Sequence, residues 1–133
     1  MDIEPGISSD YLPMDPKRLL ERFHTAINTR DLTNLVHLLQ VDFEYFDLFR
    51  PENNSTGLEA ARTRWDGLFN RYPNFQADLV RQAIEGNTIW TEWRWRGGPS
   101  GNENGFKQVG VVIFGVEQGL LAWARLFMND ETS

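Results

Sequence analysis

The stretch Ile89-Trp90-Thr91-Glu92-Trp93-Arg94-Trp95-Arg96 carries the clearest pattern in the chain. From Trp93 onward, aromatic and arginine side chains alternate, and successive side chains of a β-strand point to opposite faces. The pattern therefore predicts a strand with Thr91, Trp93 and Trp95 on one face and the arginines on the other. A face lined by tryptophan is either a packed core or the wall of an apolar pocket, and the pattern alone leaves both interpretations open.

Length, charge and cysteine content limit the class of protein. A chain of 133 residues predicts one domain that is large enough for a hydrophobic core. Its formal net charge of −6 argues against nucleic-acid binding, which needs clustered Lys and Arg. There is no cysteine, which excludes disulfides and thiolate chemistry. Because neither a signal-peptide pattern nor an apolar run of about 20 residues is apparent, we expect a cytoplasmic protein without a membrane span.

The first half of the chain predicts three helices. Residues 1–14 lack a regular pattern and are expected to form a tail, followed by a single domain over residues 15–130. Asp15 and Pro16 form a start signal for the first helix, and Asp31 can cap the second. The positions expected to be buried are Leu19, Leu20, Phe23, Ala26 and Ile27 in the first helix, Leu32, Leu35, Val36 and Leu39 in the second, and Leu58, Ala61, Trp65, Leu68, Phe69 and Tyr72 in the third.

The second half predicts an antiparallel meander of four strands, over residues 75–85, 89–96, 106–116 and 120–128. The glycine-rich residues 97–105 are expected to form a mobile connection. Apart from Arg125, the last two strands are apolar on both faces, which predicts that both faces are covered. The helices provide one cover, and a second subunit is expected to provide the other, so that the protein would be a homodimer.

A further strand is predicted between the second and third helices, at residues 41–49. One face of this strand carries, in order, Val41, Phe43, Tyr45, Asp47 and Phe49. Asp47 is the strongest candidate for chemistry, because a carboxylate among aromatic side chains is poorly solvated and suits a general base. The alternative is a solvated aspartate at a strand end, or one that is paired with Arg50 or Arg62.

Several short motifs stand in a characteristic order along the chain. They are Asn28-Thr29-Arg30-Asp31-Leu32, Gly57-Leu58-Glu59-Ala60-Ala61, Glu92-Trp93-Arg94-Trp95-Arg96-Gly97 and Gly110-Val111-Val112-Ile113-Phe114. Together with the order of the elements, they make residues 15–130 resemble the NTF2-like superfamily, in its SnoaL-like, limonene-epoxide-hydrolase-like and ketosteroid-isomerase-like branch. The resemblance implies an α+β cone, in which three N-terminal helices pack on a curved, mostly antiparallel sheet around an apolar pocket. It also implies dimerisation through the outer face of the sheet.

The resemblance gives partial guidance on chemistry, because this fold hosts isomerases, cyclases, hydrolases and plain binding proteins. In the ketosteroid-isomerase-like site the general base stands where Asp47 stands. The Tyr and Asp donors of that site fall near Phe23 and Val112, which cannot hydrogen-bond an oxyanion. The Arg and Asp pair of the epoxide-hydrolase-like site falls at Trp93 and Trp95. Either mechanism would therefore need other residues.

Three more side chains are candidates for a role in the pocket. Tyr45 shares the face of Asp47 and could donate a hydrogen bond to a ligand, or could be an aromatic core residue. His24, on the flank of the first helix, could act as an acid or base, or could be merely partly buried. Arg125, a charge within an apolar strand, needs a partner. The functional alternative is Asp47 or a ligand carboxylate, and the structural alternative is a glutamate of a second subunit, such as Glu92.

The sequence thus predicts a SnoaL-like protein that binds a small apolar molecule, with no cofactor, no metal and no nucleic acid. If it is an enzyme, we expect isomerisation, cyclisation or hydrolysis and hydration, with Asp47 as base and Tyr45 or His24 as proton donor. The side chains expected to line the pocket are Phe23, Phe43, Trp65, Trp93, Trp95, Val112 and Arg125. The alternative is a non-catalytic binding or dimerisation module whose pocket is filled by its own Trp and Phe side chains.

Overall fold

The structure, a computed structural model, describes residues 14–98 and 105–131. The helices are α1 (Pro16–Asn28), α2 (Leu32–His37) and α3 (Leu58–Arg71), and the strands are β1 (Leu39–Asp47), β2 (Ser55–Thr56), β3 (Gln76–Glu85), β4 (Thr88–Gly97), β5 (Phe106–Glu117) and β6 (Leu120–Asp130). Three helices packed on a six-stranded sheet confirm the predicted α+β class. Residues 1–13 of the predicted tail and residues 99–104 of the predicted mobile connection at 97–105 lie outside the described residues, whereas Gly97 is the last residue of β4.

Capping side chains begin the first two helices as predicted. The carboxylates of Asp15 and Asp31 each accept a hydrogen bond from the backbone N–H three residues later, at 2.8 and 3.1 Å. All five apolar positions predicted for α1 are buried. The prediction was wrong for Leu39, which is the first residue of β1 rather than the end of α2, because it pairs with Leu121 of β6.

The strands lie in the order β2-β1-β6-β5-β4-β3. Strands β3 to β6 form the predicted antiparallel meander, whereas β1 pairs with β6 in parallel. The parallel pairing places Asp47, at the end of β1, beside Leu126 of β6. Residues that are remote in the sequence therefore meet at one end of the sheet.

Strand β1 has the predicted alternation only in its second half, where Phe43, Tyr45 and Asp47 are buried. Val41 is 75% exposed, because the register of β1 with β6 shifts in the first half of the strand. Phe49 is 52% exposed, because β1 ends at Asp47 and the chain turns there. The prediction that Val41 and Phe49 share one face with Phe43, Tyr45 and Asp47 was therefore wrong.

Strand β4 alternates as predicted. Thr91, Trp93 and Trp95 are buried, while both arginines of the strand are exposed. The buried face packs into a cluster of rings in edge-to-face and tilted contacts. The rings of this aromatic cluster belong to Phe23, Trp65, Phe75, Trp93, Trp95 and Phe114. These side chains are buried in one hydrophobic cluster, so that much of the tryptophan face is packed core.

The outer face of the sheet, opposite the helices, is apolar at its centre. Val111, Ile113, Trp123 and Phe127 of β5 and β6 are only partly buried there, and Trp90 of β4 is exposed. Charged side chains of β4 lie beside this apolar patch on the same face. Within residues 14–98 and 105–131, no helix is long and apolar enough to span a membrane.

Candidate functional site

A cavity of about 870 Å³ lies between α3 and the end of the sheet at which β1 terminates. This volume falls in the range of small-molecule sites, roughly 300–1,000 Å³. Helix α3 forms one side of the cavity, and residues of β1, β4, β5 and β6 form the other. The side chains that matter for its chemistry are Tyr45, Asp47, Arg50, Arg64, Trp65 and Trp95.

Asp47 is buried at the end of β1, and its two carboxylate oxygens have different surroundings. Oδ1 accepts hydrogen bonds from the backbone N–H groups of Phe49, at 3.2 Å, and of Arg50, at 3.0 Å. Oδ2 lies 3.8 Å from Nη1 of Arg50. The sequence left Arg50 and Arg62 as alternative partners for Asp47. The structure places Arg50 beside Asp47, whereas Arg62 lies near Glu59. One oxygen holds the turn after β1, and the other lies near the Arg50 guanidinium.

Tyr45 lies beneath Arg64 of α3. The guanidinium carbon is 3.8 Å from the centroid of the phenol ring, which is a close cation–π contact. Burial raises the pKa of the Tyr45 phenol above its ordinary value, and the Arg64 charge partly opposes that rise. The phenol therefore keeps its proton at neutral pH and can donate a hydrogen bond in the cavity.

Two buried N–H donors in the cavity lining have no acceptor among the described residues. They are Nε of Arg64 and Nε1 of Trp95. The neighbouring indole differs, because Nε1 of Trp93 donates to Oγ1 of Thr91 at 2.6 Å. That hydroxyl in turn donates to the backbone oxygen of Val112, also at 2.6 Å. The two tryptophans of one strand face therefore differ, since Trp93 is satisfied within the core and Trp95 is not.

His24 does not join Tyr45 and Asp47 in the cavity. Its Nε2 lies 2.8 Å from the backbone oxygen of Ala77, and its ring meets Trp93 edge-on at 5.3 Å. Because a carbonyl oxygen only accepts hydrogen bonds, Nε2 carries the proton in this contact. Asn28, one turn later in α1, donates to the same oxygen at 2.9 Å. The contacts of His24 are therefore those of a residue that fastens β3 to α1.

The predicted lining residues fall into three groups. Trp65 and Trp95 line the cavity. Phe23, Phe43, Trp93 and Val112 lie in the packed core. Arg125 lies on the outer face, where its guanidinium is 5.6 Å from the ring centroid of Phe46, because its register partner in β5 is the outward-facing Ile113. It therefore cannot reach Asp47 on the opposite face of the sheet.

The sequence reasoning missed Arg64, although a signal for it was present. Arg64 follows Ala61 by three residues and precedes Leu68 by four, so it lies on the apolar stripe of α3. A cation on a buried stripe needs a partner inside the protein. The guanidinium of Arg64 lies against the Tyr45 side chain, and its Nη2 donates to the backbone oxygen of Asn53.

Metal binding has no support in the described part of the chain. No group of three or more His, Asp or Glu side chains comes together there in a way that could hold a metal ion. The chemistry that the site offers is that of a carboxylate, a neutral phenol and buried N–H donors.

Comparisons with known proteins agree with this architecture. Residues 20–124 match the family model of a SnoaL-like domain. No curated protein sequence matches the chain. Among solved structures, IdmH from Streptomyces antibioticus, a candidate polyketide cyclase, is similar with a TM-score of 0.73 and 16% identity, over 86% of this chain and 92% of that one.

Two further structures show the same fold. An LEH-like epoxide hydrolase of M. tuberculosis has a TM-score of 0.71 and 19% identity, over 84% of this chain and 80% of its own. An NTF2-like protein from Anabaena variabilis has a TM-score of 0.69 and 19% identity, over 86% and 87%. At these identities the likeness establishes the NTF2-like fold and nothing more specific.

Proposed function

The chain belongs to the SnoaL-like domain family, and on that basis we propose that it binds a small molecule with an apolar body in the cavity beside α3 and catalyses a cofactor-free acid–base reaction on it. One observation carries the proposal. Asp47 and Tyr45 extend from the same face of β1 into one cavity, so that a carboxylate and a neutral phenol face the same bound molecule. Apolar side chains, among them Trp65 and Leu126, would hold the body of the ligand.

The chemistry that suits this pair is proton abstraction next to a carbonyl group. Asp47 takes the proton through Oδ2, and the electron pair of the broken C–H bond moves onto the carbonyl oxygen to give an enolate. The phenol of Tyr45 donates a hydrogen bond to that oxygen. Return of the proton to another carbon of an unsaturated ketone completes an isomerisation. Attack of the enolate carbon on a second carbonyl, whose oxygen then takes up the proton held by Asp47, completes a cyclisation. Neither outcome needs an oxidant or a reductant.

Isomerisation or cyclisation suits the site better than epoxide hydrolysis. The epoxide-hydrolase-like pattern requires an Arg and an Asp on the strand where this chain carries Trp93 and Trp95. Indole groups cannot activate water or protonate an epoxide oxygen. The relatives that support the proposal are therefore the cyclase-like and ketosteroid-isomerase-like proteins.

Exchange of solvent deuterium into an enolisable ketone tests the proposed reaction. With 2-tetralone in D₂O, NMR measures how fast the protons next to the carbonyl are lost. Removal of a general base costs about 10²-fold or more, so we expect that loss in Asp47→Asn. Asp42→Asn is the matched control, because Asp42 is an exposed carboxylate of the same strand. Equal rates in the wild type and Asp47→Asn would rule out the base role.

The second candidate function is binding without catalysis. The burial of the aromatic cluster in the packed core favours it, and so does the engagement of Asp47 Oδ1 in the turn after β1. A thermal-shift screen with polyketide-like and terpenoid compounds separates the two functions. Stabilisation by such a ligand, without any acceleration of exchange on 2-tetralone or 1-tetralone, would support a binding protein.

We further propose that the protein is a homodimer joined through the outer face of the sheet. The partly buried apolar side chains of β5 and β6, together with the exposed Trp90, form a patch that a second copy would cover. Light scattering after gel filtration should give twice the chain mass of 15.4 kDa. Trp90→Lys should shift the mass to one chain, whereas Val41→Lys, a change at an exposed apolar residue of β1, should not. A single-chain mass for the wild type would exclude the dimer.

A further inference from the structure

We propose that Nε of Arg64 and Nε1 of Trp95 bind an anionic oxygen of the ligand, either a carboxylate oxygen or the oxygen of an enolate. This inference rests on the proposed function, because it takes the cavity beside α3 as the ligand site. It specifies which polar group the ligand carries, because the apolar side chains of the lining select only for an apolar body.

The first argument is hydrogen bonding. Trp95 is 6% exposed, and its indole N–H has no acceptor among the described residues. A buried donor without a partner is costly, and such groups are rare in native proteins. Trp93, two residues earlier on the same face, has its indole N–H satisfied by Thr91. Of these two tryptophans of β4, the one with the unsatisfied indole N–H is Trp95, which lines the cavity.

The second argument is the position of Arg64. Its Nη2 donates to the backbone oxygen of Asn53, and its guanidinium lies against the Tyr45 side chain, and these contacts fix the group. Nε is buried and still lacks an acceptor. A guanidinium that is fixed in advance and keeps a spare N–H suits an oxygen anion, because little side-chain freedom is lost when the anion binds.

The third argument is charge. The whole chain has a formal net charge of −6, yet the cavity lining carries three arginines and only two carboxylates. Arg50 lies within 3.8 Å of Asp47 and of Asp130, so the nearest carboxylates already neutralise it. Arg64 has no carboxylate in such contact among the described residues. Arg64 therefore brings to the cavity a positive charge that no carboxylate of the described residues contacts directly, which favours an anion beside it.

These donors would also complete the proposed reaction. The positions that stabilise an enolate in the ketosteroid-isomerase-like site are occupied here by Phe23 and Val112, which have no polar side-chain atoms. Arg64 and Trp95 supply N–H donors from α3 and β4 instead, in the same cavity lining as the Tyr45 phenol. The substrate class that fits them is an enolisable carbonyl compound or its carboxylate analogue.

A pair of matched probes tests the inference by binding rather than by turnover. The probes are 2-naphthoate, which carries a carboxylate, and 2-naphthalenemethanol, which is neutral and has a similar shape. We expect the carboxylate to bind the wild type about 10-fold or more tightly than the alcohol, since a charge-assisted hydrogen bond gives a change of that order. The preference should be lost in Trp95→Phe and in Arg64→Leu. Arg62→Leu, a change at an exposed arginine of the same helix, should keep it.

Indole resonances in ¹⁵N-labelled protein provide a direct readout. The Trp95 signal, identified by its absence in Trp95→Phe, should move strongly on addition of 2-naphthoate. The Trp93 signal is the internal reference, because its N–H is already bonded to Thr91. If Arg64→Leu does not fold, Arg64→Lys and Trp95→Phe carry the test. Equal binding of the two probes, an unchanged preference in the variants, or no binding of 2-naphthoate would overturn the inference.

The two proposals fail in different ways. If Asp47→Asn abolishes deuterium exchange while the wild type shows no carboxylate preference, only the role of Arg64 and Trp95 is wrong. If the preference is present and Asp47→Asn exchanges as fast as the wild type, only the base role of Asp47 is wrong.

Discussion

The guanidinium of Arg64 lies over the phenol ring of Tyr45 at 3.8 Å, and this contact joins α3 to β1 in the lining of the cavity. Tyr45 is buried, so the arginine both covers the ring and lies next to its hydroxyl. One contact thus links the strand that carries the proposed base to the helix that carries a proposed oxygen-binding donor.

The Tyr45 phenol should make stability depend on alkaline pH. Because burial raises its pKa in the folded protein, the unfolded chain releases this proton first as the pH rises. The unfolded state then binds fewer protons than the folded state, so the free energy of unfolding falls with pH. The fall should begin near pH 10, the pKa of an exposed tyrosine, and continue through the folded pKa.

Urea unfolding from pH 8 to pH 11 measures this effect. Tyr45→Phe should lose less stability across that interval than the wild type does, and Tyr72→Phe is the matched control at the end of α3. Identical pH dependence in the wild type and Tyr45→Phe would show that Tyr45 titrates alike in both states.

Asp47 should have a structural role that is separable from its chemical one. Asp47→Ala removes the acceptor of two backbone N–H groups in the turn after β1, so we expect a loss of about 1–3 kcal/mol in the free energy of unfolding. Asp47→Asn retains an oxygen that can accept these two hydrogen bonds, so its free energy of unfolding should fall by less. Asp42→Ala, at an exposed position, should change stability by less than about 0.5 kcal/mol. Equal stability of Asp47→Ala and the wild type would contradict the role in the turn.

Asn28 should be a strong anchor between α1 and β3. Its side-chain amide donates to the backbone oxygen of Ala77 at 2.9 Å and accepts from the backbone N–H of Ala77 at 2.6 Å, as a neighbouring strand would. Asn28→Ala should lower the free energy of unfolding by about 2 kcal/mol, because both bonds are lost. Amide hydrogen exchange of Ala77 should accelerate in this variant, and an unchanged exchange rate would contradict the anchor.

His24 should affect stability and not catalysis. It shares the Ala77 oxygen with Asn28 and lies outside the cavity lining. In His24→Gln we expect a loss of about 1 kcal/mol of stability and a deuterium exchange rate on 2-tetralone close to that of the wild type. A loss of exchange comparable to that of Asp47→Asn would return His24 to the list of acid–base candidates.

Gly110 should be intolerant of any side chain. A Cβ atom at this position would lie 2.0 Å from the backbone oxygen of Phe127 in β6. Gly110→Ala should therefore cost more than about 3 kcal/mol, within the range of severe single substitutions. Gly67→Ala is the matched control, because a Cβ there meets no atom within 4 Å and alanine favours a helix by about 0.8–1 kcal/mol. Thermal unfolding of both variants measures the contrast.

The fold could be predicted from the sequence because the patterns that indicate it lie between residues that are close together in the chain. The caps of Asp15 and Asp31, the helical spacing in α1 and the alternation in β4 each involve residues that are close in the chain. The end of β1 was harder to predict. The side chain of Asp47 bonds the backbone of the next residues and stops the strand, so Phe49 leaves the buried face.

The candidate site was predictable only in part, because it depends on contacts between distant elements. Asp47 and Tyr45 could be placed on one face from their spacing in the sequence. The pairing of Asp47 with Arg50, the position of Arg64 over Tyr45 and the distance of His24 from the cavity depend on how α1 and α3 sit on the sheet. Helical spacing alone does not determine which flank of α1 meets β3.

The parallel pairing of β1 with β6 also sets an order of events for a newly made chain. During synthesis, β1 leaves the ribosome about 80 residues before the segment that lies beside Asp47. Contacts across so long a stretch of chain form late and slowly. Until the last strand arrives, Leu48 lacks the backbone oxygen of Leu126, and Arg50 lacks that of Met128. The side of the cavity that Leu126 and Met128 form is therefore completed only after β6 has been made, and a nascent chain that stops short of β6 would carry Asp47 without the site around it.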